Sequence, residues 1–117
     1  MTYDKAIALA YKELAVNPRN SDTMGDLALY YAKKGMQAQA LNFIQHARSI
    51  NREDVDLIYT EAVVEALANH PDNALKFLRE AFERGYAVRE ARSDPELDTL
   101  QSRPGFEKLF AEFNKPK

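Results

Sequence analysis

The sequence predicts an all-α fold built from repeated helical hairpins, and three observations lead to that prediction. Apolar residues follow a helical period along most of the 117 residues, and no segment alternates convincingly at the period of two that marks a strand. A small-large-small pattern of side chains recurs after 34 residues, which is the period of a solenoid made of helix pairs. Glycine, asparagine and proline punctuate the pattern where helices should end. The two matching sets are Ala40, Ile44 and Ala47, and then Ala74, Leu78 and Ala81.

The first two helices are separated by a proline turn. We expect the first helix over Tyr3–Val16. It should stop before Pro18, because the residue that precedes a proline avoids helical backbone angles. Asn20 or Ser21 can cap the second helix, which we expect to run to Lys34.

The next three helices also carry start and stop signals. The third helix is predicted over Gln37–Ile50 and is closed by Asn51. Asp54 can cap the fourth helix, which should end near Asn69. Pro71 follows in the first turn of the fifth helix, where its missing N–H group has no cost.

Residues suited to left-handed turns mark the ends of three helices. Gly35 ends the second helix, Asn69 ends the fourth at the equivalent position, and Gly85 ends the fifth. The repeat period breaks after Gly85. Beyond it, an aspartate or serine close before a proline predicts two shorter helices, Pro95–Gln101 and Pro104–Phe113.

The last predicted helix has one strongly apolar face. Phe106, Leu109, Phe110 and Phe113 are spaced so that they fall on the same side. So short a helix needs a partner, and we expect it to pack on the exposed end of the hairpin stack. Residues 114–117 form a polar tail that we expect to be frayed.

Composition excludes several classes of protein. The sequence has 16 basic and 18 acidic residues in mixed order, so it lacks the basic stripe that nucleic acid would require. It has no cysteine, which excludes disulfides and thiolate metal sites. No apolar run approaches the roughly 20 residues that span a bilayer, and the N-terminus does not resemble a secretory signal. We therefore expect a soluble, cytoplasmic domain without nucleic-acid or membrane partners.

The repeated positions resemble the tetratricopeptide repeat (TPR), a 34-residue helix-turn-helix unit. Residues 21–54 carry the clearer copy. Met24 takes the place of the family's tryptophan, and Arg52 takes the place of its closing proline. The matching positions are Leu27, Ala28, Tyr31, Gly35, Ala40, Ile44 and Ala47.

A second and less faithful copy covers residues 55–86, where Glu61 and Glu65 replace the expected leucine and tyrosine. Residues 3–18 resemble the second helix of a partial repeat that has lost its first helix. Residues 87–113 are similar to a capping tail that follows bacterial TPR arrays. The resemblance implies a single domain over residues 1–117, folded as a right-handed α-α superhelix (a TPR solenoid) of about two full repeats plus flanking helices.

The resemblance also implies that the first helix of each pair lines a concave groove. Its stripe is small and apolar in the middle and charged at the edges, which suits an amphipathic helix or an extended peptide. The expected function is therefore a non-catalytic protein-interaction or scaffold module that needs no cofactor and no metal. The alternative is that the N-terminal helix or the tail covers this face within the same chain. The groove residues, which we expect to be exposed, are Asp22, Gly25, Leu29, Ala32 and Lys33, with Asp56, Tyr59, Val63, Ala66 and Leu67.

Two glutamates stand where the repeat pattern expects apolar residues. Glu61 and Glu65 lie on one helix face, but metal sites built from such pairs recruit Glu-x-x-His partners. His46 and His70 do not occur in that spacing. We expect at least one of the two glutamates to pair with an arginine of the tail, and the alternative is that both face water. The tail arginines are Arg89, Arg92 and Arg103.

The sequence contains no arrangement of side chains that suits catalysis. No serine lies beside a histidine and an acid that could activate it, and the four glycines are scattered as turn residues. A different function remains open at the N-terminus, where an apolar edge of the first helix could be covered by a second copy to form a homodimer. The chain could also be a piece of a longer TPR array in a multidomain regulatory protein. The edge consists of Ile7, Ala10, Tyr11 and Leu14.

Overall fold

All regular secondary structure in the computed structural model, which describes residues 2–113, is helical. The tail 114–117, which was predicted to fray, lies outside the described residues. The elements are α1 (Tyr3–Val16), α2 (Ser21–Lys33), α3 (Gln37–Ile50), α4 (Val55–Leu67), α5 (Pro71–Glu83), α6 (Val88–Arg92), a 3-10 helix (Pro95–Leu100) and α7 (Pro104–Phe113).

Side-chain caps fix the starts of α2 and α4, the two helices that face each other. The Asn20 side chain accepts a hydrogen bond from the Thr23 backbone N–H at 3.1 Å, so Asn20 and not Ser21 is the cap of α2. The Asp54 side chain accepts from two backbone N–H groups at the start of α4. These bonds satisfy donors that the helix itself leaves unpaired, which is why both helices begin where the sequence predicts.

Left-handed residues end three of the helices. Gly35 has φ 78°, Asn69 has φ 62° and Gly85 has φ 101°. The prediction for these three turns is confirmed. The last helical residues are Lys33 in α2 and Leu67 in α4, one and two residues before the predicted ends.

The structure after Gly85 differs from the prediction in two ways. α6 (Val88–Arg92) was not predicted, because Ala87 at its start offers no side-chain cap and the helix has only five residues. The segment from Pro95 is a 3-10 helix that ends at Leu100 and not an α-helix that reaches Gln101. Its backbone forms i→i+3 bonds, such as the one from the Leu97 N–H to the Asp94 carbonyl at 3.1 Å, which define this tighter helix.

Small side chains lie where neighbouring helices meet. α2 packs on α3 and α4 packs on α5, and the second hairpin rests on the first through contacts of α4 with α2 and α3. The alanines of the 34-residue pattern are completely buried, and Ile44 and Leu78 fill the space between them. Their small size allows close approach of the helix backbones. The alanines are Ala40, Ala47, Ala74 and Ala81.

The aromatic face of α7 packs along α5, the last helix of the hairpin stack, where it was expected to pack. Phe106 and Phe110 are 2% exposed, and Phe113 is half-buried. Phe110 meets the ring of Phe82 in α5 edge to face, with ring centroids 5.4 Å apart. The tail is therefore part of the main hydrophobic core, to which Leu97 of the 3-10 helix also belongs.

The predicted free edge on α1 is wrong in part. Ile7 and Ala10 are buried against Leu27 of α2, and Leu14 is half-buried. A lone helix turns its most apolar stripe toward the nearest apolar surface, which here is α2. Large apolar side chains of α1 that remain exposed are Tyr3, Leu9, Tyr11 and Val16.

Candidate functional site

An open groove lies between α2 and α4. It consists of two adjoining pockets of about 240 and 260 Å³ that share Thr60, and we call it the α2–α4 groove. The first pocket is lined by Asp22, Gly25, Asp26, Asp56, Leu57 and Thr60. The second pocket is lined by Leu29, Lys33, Tyr59, Thr60, Val63, Asp94 and Glu96.

Gly25 sets the closeness of the two helices at the floor of the groove. A Cβ atom at this position would lie 2.7 Å from Leu57 Cδ2, which is too short for a normal contact. Thr60 lies at the junction of the two pockets, and its hydroxyl donates only to the backbone carbonyl of Asp56 within α4. The Thr60 side chain therefore holds no contact across the groove that a ligand would have to break.

Seven of the ten predicted groove residues line the α2–α4 groove. Ala32 and Ala66 lie in the hydrophobic cores, and Leu67 is half-buried between those cores. The expectation that the whole stripe is exposed is wrong, since Val63 is also only 3% exposed. α4 is enclosed by α2 on one side and by the tail on the other, so only a narrow strip of its surface reaches solvent. Gly25 and Tyr59 are buried as well.

The C-terminal tail covers one end of the groove. The ring of Tyr86 stacks on the ring of Tyr59 with a centroid distance of 4.0 Å, and the Tyr59 hydroxyl donates to Asp94. Lys33 Nζ lies 2.8 Å from Glu96 Oε1. The alternative in which the tail covers the face is thus realised in part. Tyr86 covers Tyr59 at this end, while the pocket over Leu29 and Val63 and the end near Asp22 and Asp56 stay open.

Tyr59 and Lys33, at the end of the groove that the tail borders, each keep one protonation state near neutral pH. Burial and the hydrogen bond to Asp94 raise the pKa of Tyr59, so the hydroxyl remains a donor at neutral pH. The hydrogen bond to Glu96 raises the pKa of Lys33, so the ammonium remains charged. Neither group is free to act as a base near neutral pH.

The open end of the groove is acidic. Asp22, Asp26 and Asp56 are exposed there. A further pocket of about 130 Å³ between α1 and α2 shares Asp26 and adds Glu13. Desolvation, followed by the neighbouring carboxylates of Glu13 and Asp22, raises the pKa of Asp26. Asp26 was missed in the sequence, although its position four residues after Asp22 places both on one helix face.

The predicted partner of the two glutamates is wrong. Glu61 pairs with Arg48 of α3, with Arg48 Nη1 2.6 Å from Glu61 Oε1, and not with an arginine of the tail. The other end of the Arg48 guanidinium lies 3.2 Å from Glu80 of α5. Glu65 has His70 Nδ1 at 3.5 Å. The sequence offered a signal, since Arg48 lies four residues after Ile44 and so continues the buried face of α3.

The Arg48–Glu61 ion pair is largely shielded from solvent. Glu61 is 8% exposed, and burial raises its pKa even though Arg48 acts in the opposite direction. Arg48 Nε is buried and has no hydrogen-bond partner among the described residues. Together with Glu80, the Arg48–Glu61 pair joins α3, α4 and α5. Across residues 2–113, no group of three or more His, Asp or Glu side chains converges as a metal site would require.

No helix in the described part of the chain is long and apolar enough to cross a membrane. No protein-family model matches the chain, and no curated protein matches it either.

Proposed function

We propose that this chain is a non-catalytic protein-interaction module that binds a peptide or a helix of another protein along the α2–α4 groove. The observation that carries the proposal is the groove itself, which is open, has apolar side chains at its centre and has charged side chains at its rims. Helices of partner proteins are commonly recognised by grooves of this kind, in which apolar anchors give affinity and polar rims give register.

The repeat pattern supports the same proposal. We infer that α2–α3 and α4–α5 are successive TPR units of a right-handed superhelix, with α1 as a partial repeat and α6–α7 as the capping tail. Support comes from the complete burial of Ala40, Ala47, Ala74 and Ala81 at a 34-residue interval, as nested hairpins require. In such a stack the groove between α2 and α4 is the surface where successive first helices face a ligand.

The proposal is tested by filling the groove. Peptides are selected from a random display library against the wild-type protein, and their affinities are measured by fluorescence anisotropy. Thr60→Trp places a large ring at the junction of the two pockets, so we expect it to weaken binding about tenfold or more. Ser49→Trp is the matched control, because Ser49 is exposed on α3 and its hydroxyl also donates only to its own helix.

Ser49→Trp should bind the selected peptides as the wild type does. If Thr60→Trp also binds them with wild-type affinity, the groove is not the binding site and the proposal fails. Circular dichroism of both variants separates a blocked groove from a lost fold.

Self-assembly is a second candidate, favoured by one observation on α1. The exposed large apolar side chains are concentrated on this helix, with Leu9 50% exposed and Val16 87% exposed. A second copy of the chain is the proposed occupant of this face. We expect sedimentation velocity to show a dimer at high micromolar concentration that Leu9→Lys/Val16→Lys converts to a monomer. A wild-type protein that remains monomeric at those concentrations would exclude this candidate.

A further inference from the structure

Acidic side chains are concentrated at the α2–α4 groove. Five of the 18 acidic residues in the sequence line it, against one of the 16 basic residues, Lys33. Because Glu96 pairs with Lys33, that single cation is already neutralised. The near balance of charge over the whole sequence therefore hides a strongly anionic groove.

The negative charge is not compensated at the open end. Asp94 accepts from Tyr59 and Glu96 pairs with Lys33, so these two carboxylates at the covered end are engaged. In contrast, Asp22, Asp26 and Asp56 form no salt bridge with any described residue.

Helix capping does not account for all of this charge. Asp22 and Asp56 lie in the first turns of α2 and α4, where a carboxylate stabilises the positive end of the helix. Asp26 lies one turn further along α2, in one pocket with Asp22 and in another with Glu13. Desolvation, followed by these two neighbouring carboxylates, raises the pKa of Asp26. A position where carboxylates repel one another gains most from a cation that arrives from outside the chain.

The apolar side chains lie between the acidic ends. Leu29 and Val63 line the second pocket next to Thr60, and Leu57 lies at the floor of the first. A bound segment would thus meet carboxylates at the open end and an apolar floor further along the groove.

We infer that the α2–α4 groove selects a cationic amphipathic segment of a partner protein, with lysine or arginine side chains at the Asp22–Asp26–Asp56 end and an apolar anchor over Leu29 and Val63. This inference rests on the proposed function, because it specifies the partner of the same groove. Charge complementarity across the interface provides the selectivity and accelerates association.

The inference is tested with synthetic peptide probes of about 12 residues, the length of a short groove-binding helix. The first peptide carries lysines at one end and leucines in its middle, the second has glutamates in place of the lysines, and the third has serines in place of the leucines. Affinities for the wild-type protein are measured by fluorescence anisotropy at low and at high ionic strength. We expect only the first peptide to bind well, and we expect salt to weaken its binding.

Two triple variants separate groove charge from overall charge. We expect Asp22→Asn/Asp26→Asn/Asp56→Asn to weaken binding of the first peptide about tenfold or more. The control Glu53→Gln/Asp72→Asn/Glu83→Gln removes the same charge from exposed positions outside the groove, including one first-turn carboxylate, and should bind as the wild type does. Should the groove variant fail to fold, Asp26→Lys alone is used, which should weaken binding of the lysine peptide about tenfold or more.

The other outcomes overturn either the inferred preference for cations or the groove as the binding site. Equal binding of the first peptide by both triple variants, better binding of the glutamate peptide, or unchanged binding of the serine peptide overturns the inference about the partner. If display selection yields peptides of other chemistry that Thr60→Trp still excludes, the groove stands as the site and only its proposed preference for cations fails. If Thr60→Trp excludes no selected peptide, the proposed function fails as well.

Discussion

Replacing Arg48 with methionine is expected to lower the free energy of unfolding by about 3–5 kcal/mol. Arg48 is the partner of Glu61, which is 8% exposed, and it also reaches Glu80. Without the guanidinium, Glu61 stays buried between α3 and α4 with no opposing charge. Urea unfolding of the two proteins at neutral pH measures the difference.

The matched control restores an apolar contact. Arg48→Met/Glu61→Leu removes both charges and places at position 61 the leucine that the repeat pattern expects. Replacement of a buried ion pair by apolar residues of similar volume is often neutral or stabilising, so the double variant should recover most of the lost stability. An Arg48→Met cost below about 1 kcal/mol would show that the pair behaves like an exposed salt bridge.

The stability of the single variant Arg48→Met should depend on pH in a predictable way. Burial raises the pKa of Glu61 above its usual 4.5, so the stability that Glu61 contributes is present below pH 4.5 and is lost as the pH rises through the folded-state pKa. Loss of Arg48 should raise this pKa further. The loss in free energy of unfolding caused by Arg48→Met is therefore expected to be largest at neutral pH and to shrink toward pH 4.5.

The second large effect is expected at Phe110. We predict that Phe110→Ala lowers the free energy of unfolding by about 3–5 kcal/mol. Phe110 is 2% exposed and packs against Phe82 of α5 and Phe106 of α7. The cavity would open between the tail and the hairpin stack, so denaturant unfolding should show the loss in the global transition. Phe113→Ala is the control: Phe113 is half-buried at the end of the same helix, and its loss should cost less.

The Phe110 result also decides whether the tail belongs to the cooperative fold. A tail that folds separately would lose protection from hydrogen exchange in α7 without any change in the unfolding of α2–α5. That pattern would contradict the single core in which Phe106, Leu109 and Phe110 join the residues of α4 and α5.

The helices from α1 to α5 were predictable because their ends carry local signals. Asn20 and Asp54 offer side-chain oxygens to the first turn, and Gly35, Asn69 and Gly85 adopt left-handed angles that few other residues tolerate. Such signals depend on a few neighbouring residues. α6 has no comparable signal, and the character of the 3-10 helix depends on how the tail packs, which no local rule records.

The groove was predictable only in part, because helical spacing identifies a face but not what covers it. Asp22, Leu29 and Lys33 line the groove as the stripe of α2 indicated. The stripe of α4 is partly enclosed by Tyr86 and the residues after α6, which lie far along the chain. The partner of Glu61 was missed for a related reason, since Arg48 comes from the preceding helix and not from the tail.

Chemical-shift mapping can show whether a partner segment binds between α2 and α4. Amide NMR spectra of the wild-type protein are recorded while a display-selected peptide is added. We expect the largest shifts at groove residues such as Asp26, Thr60 and Val63, while Ser49 on α3 is unaffected. Shifts that are largest on α3 or on the outer face of α1, with the groove unchanged, would contradict this expectation.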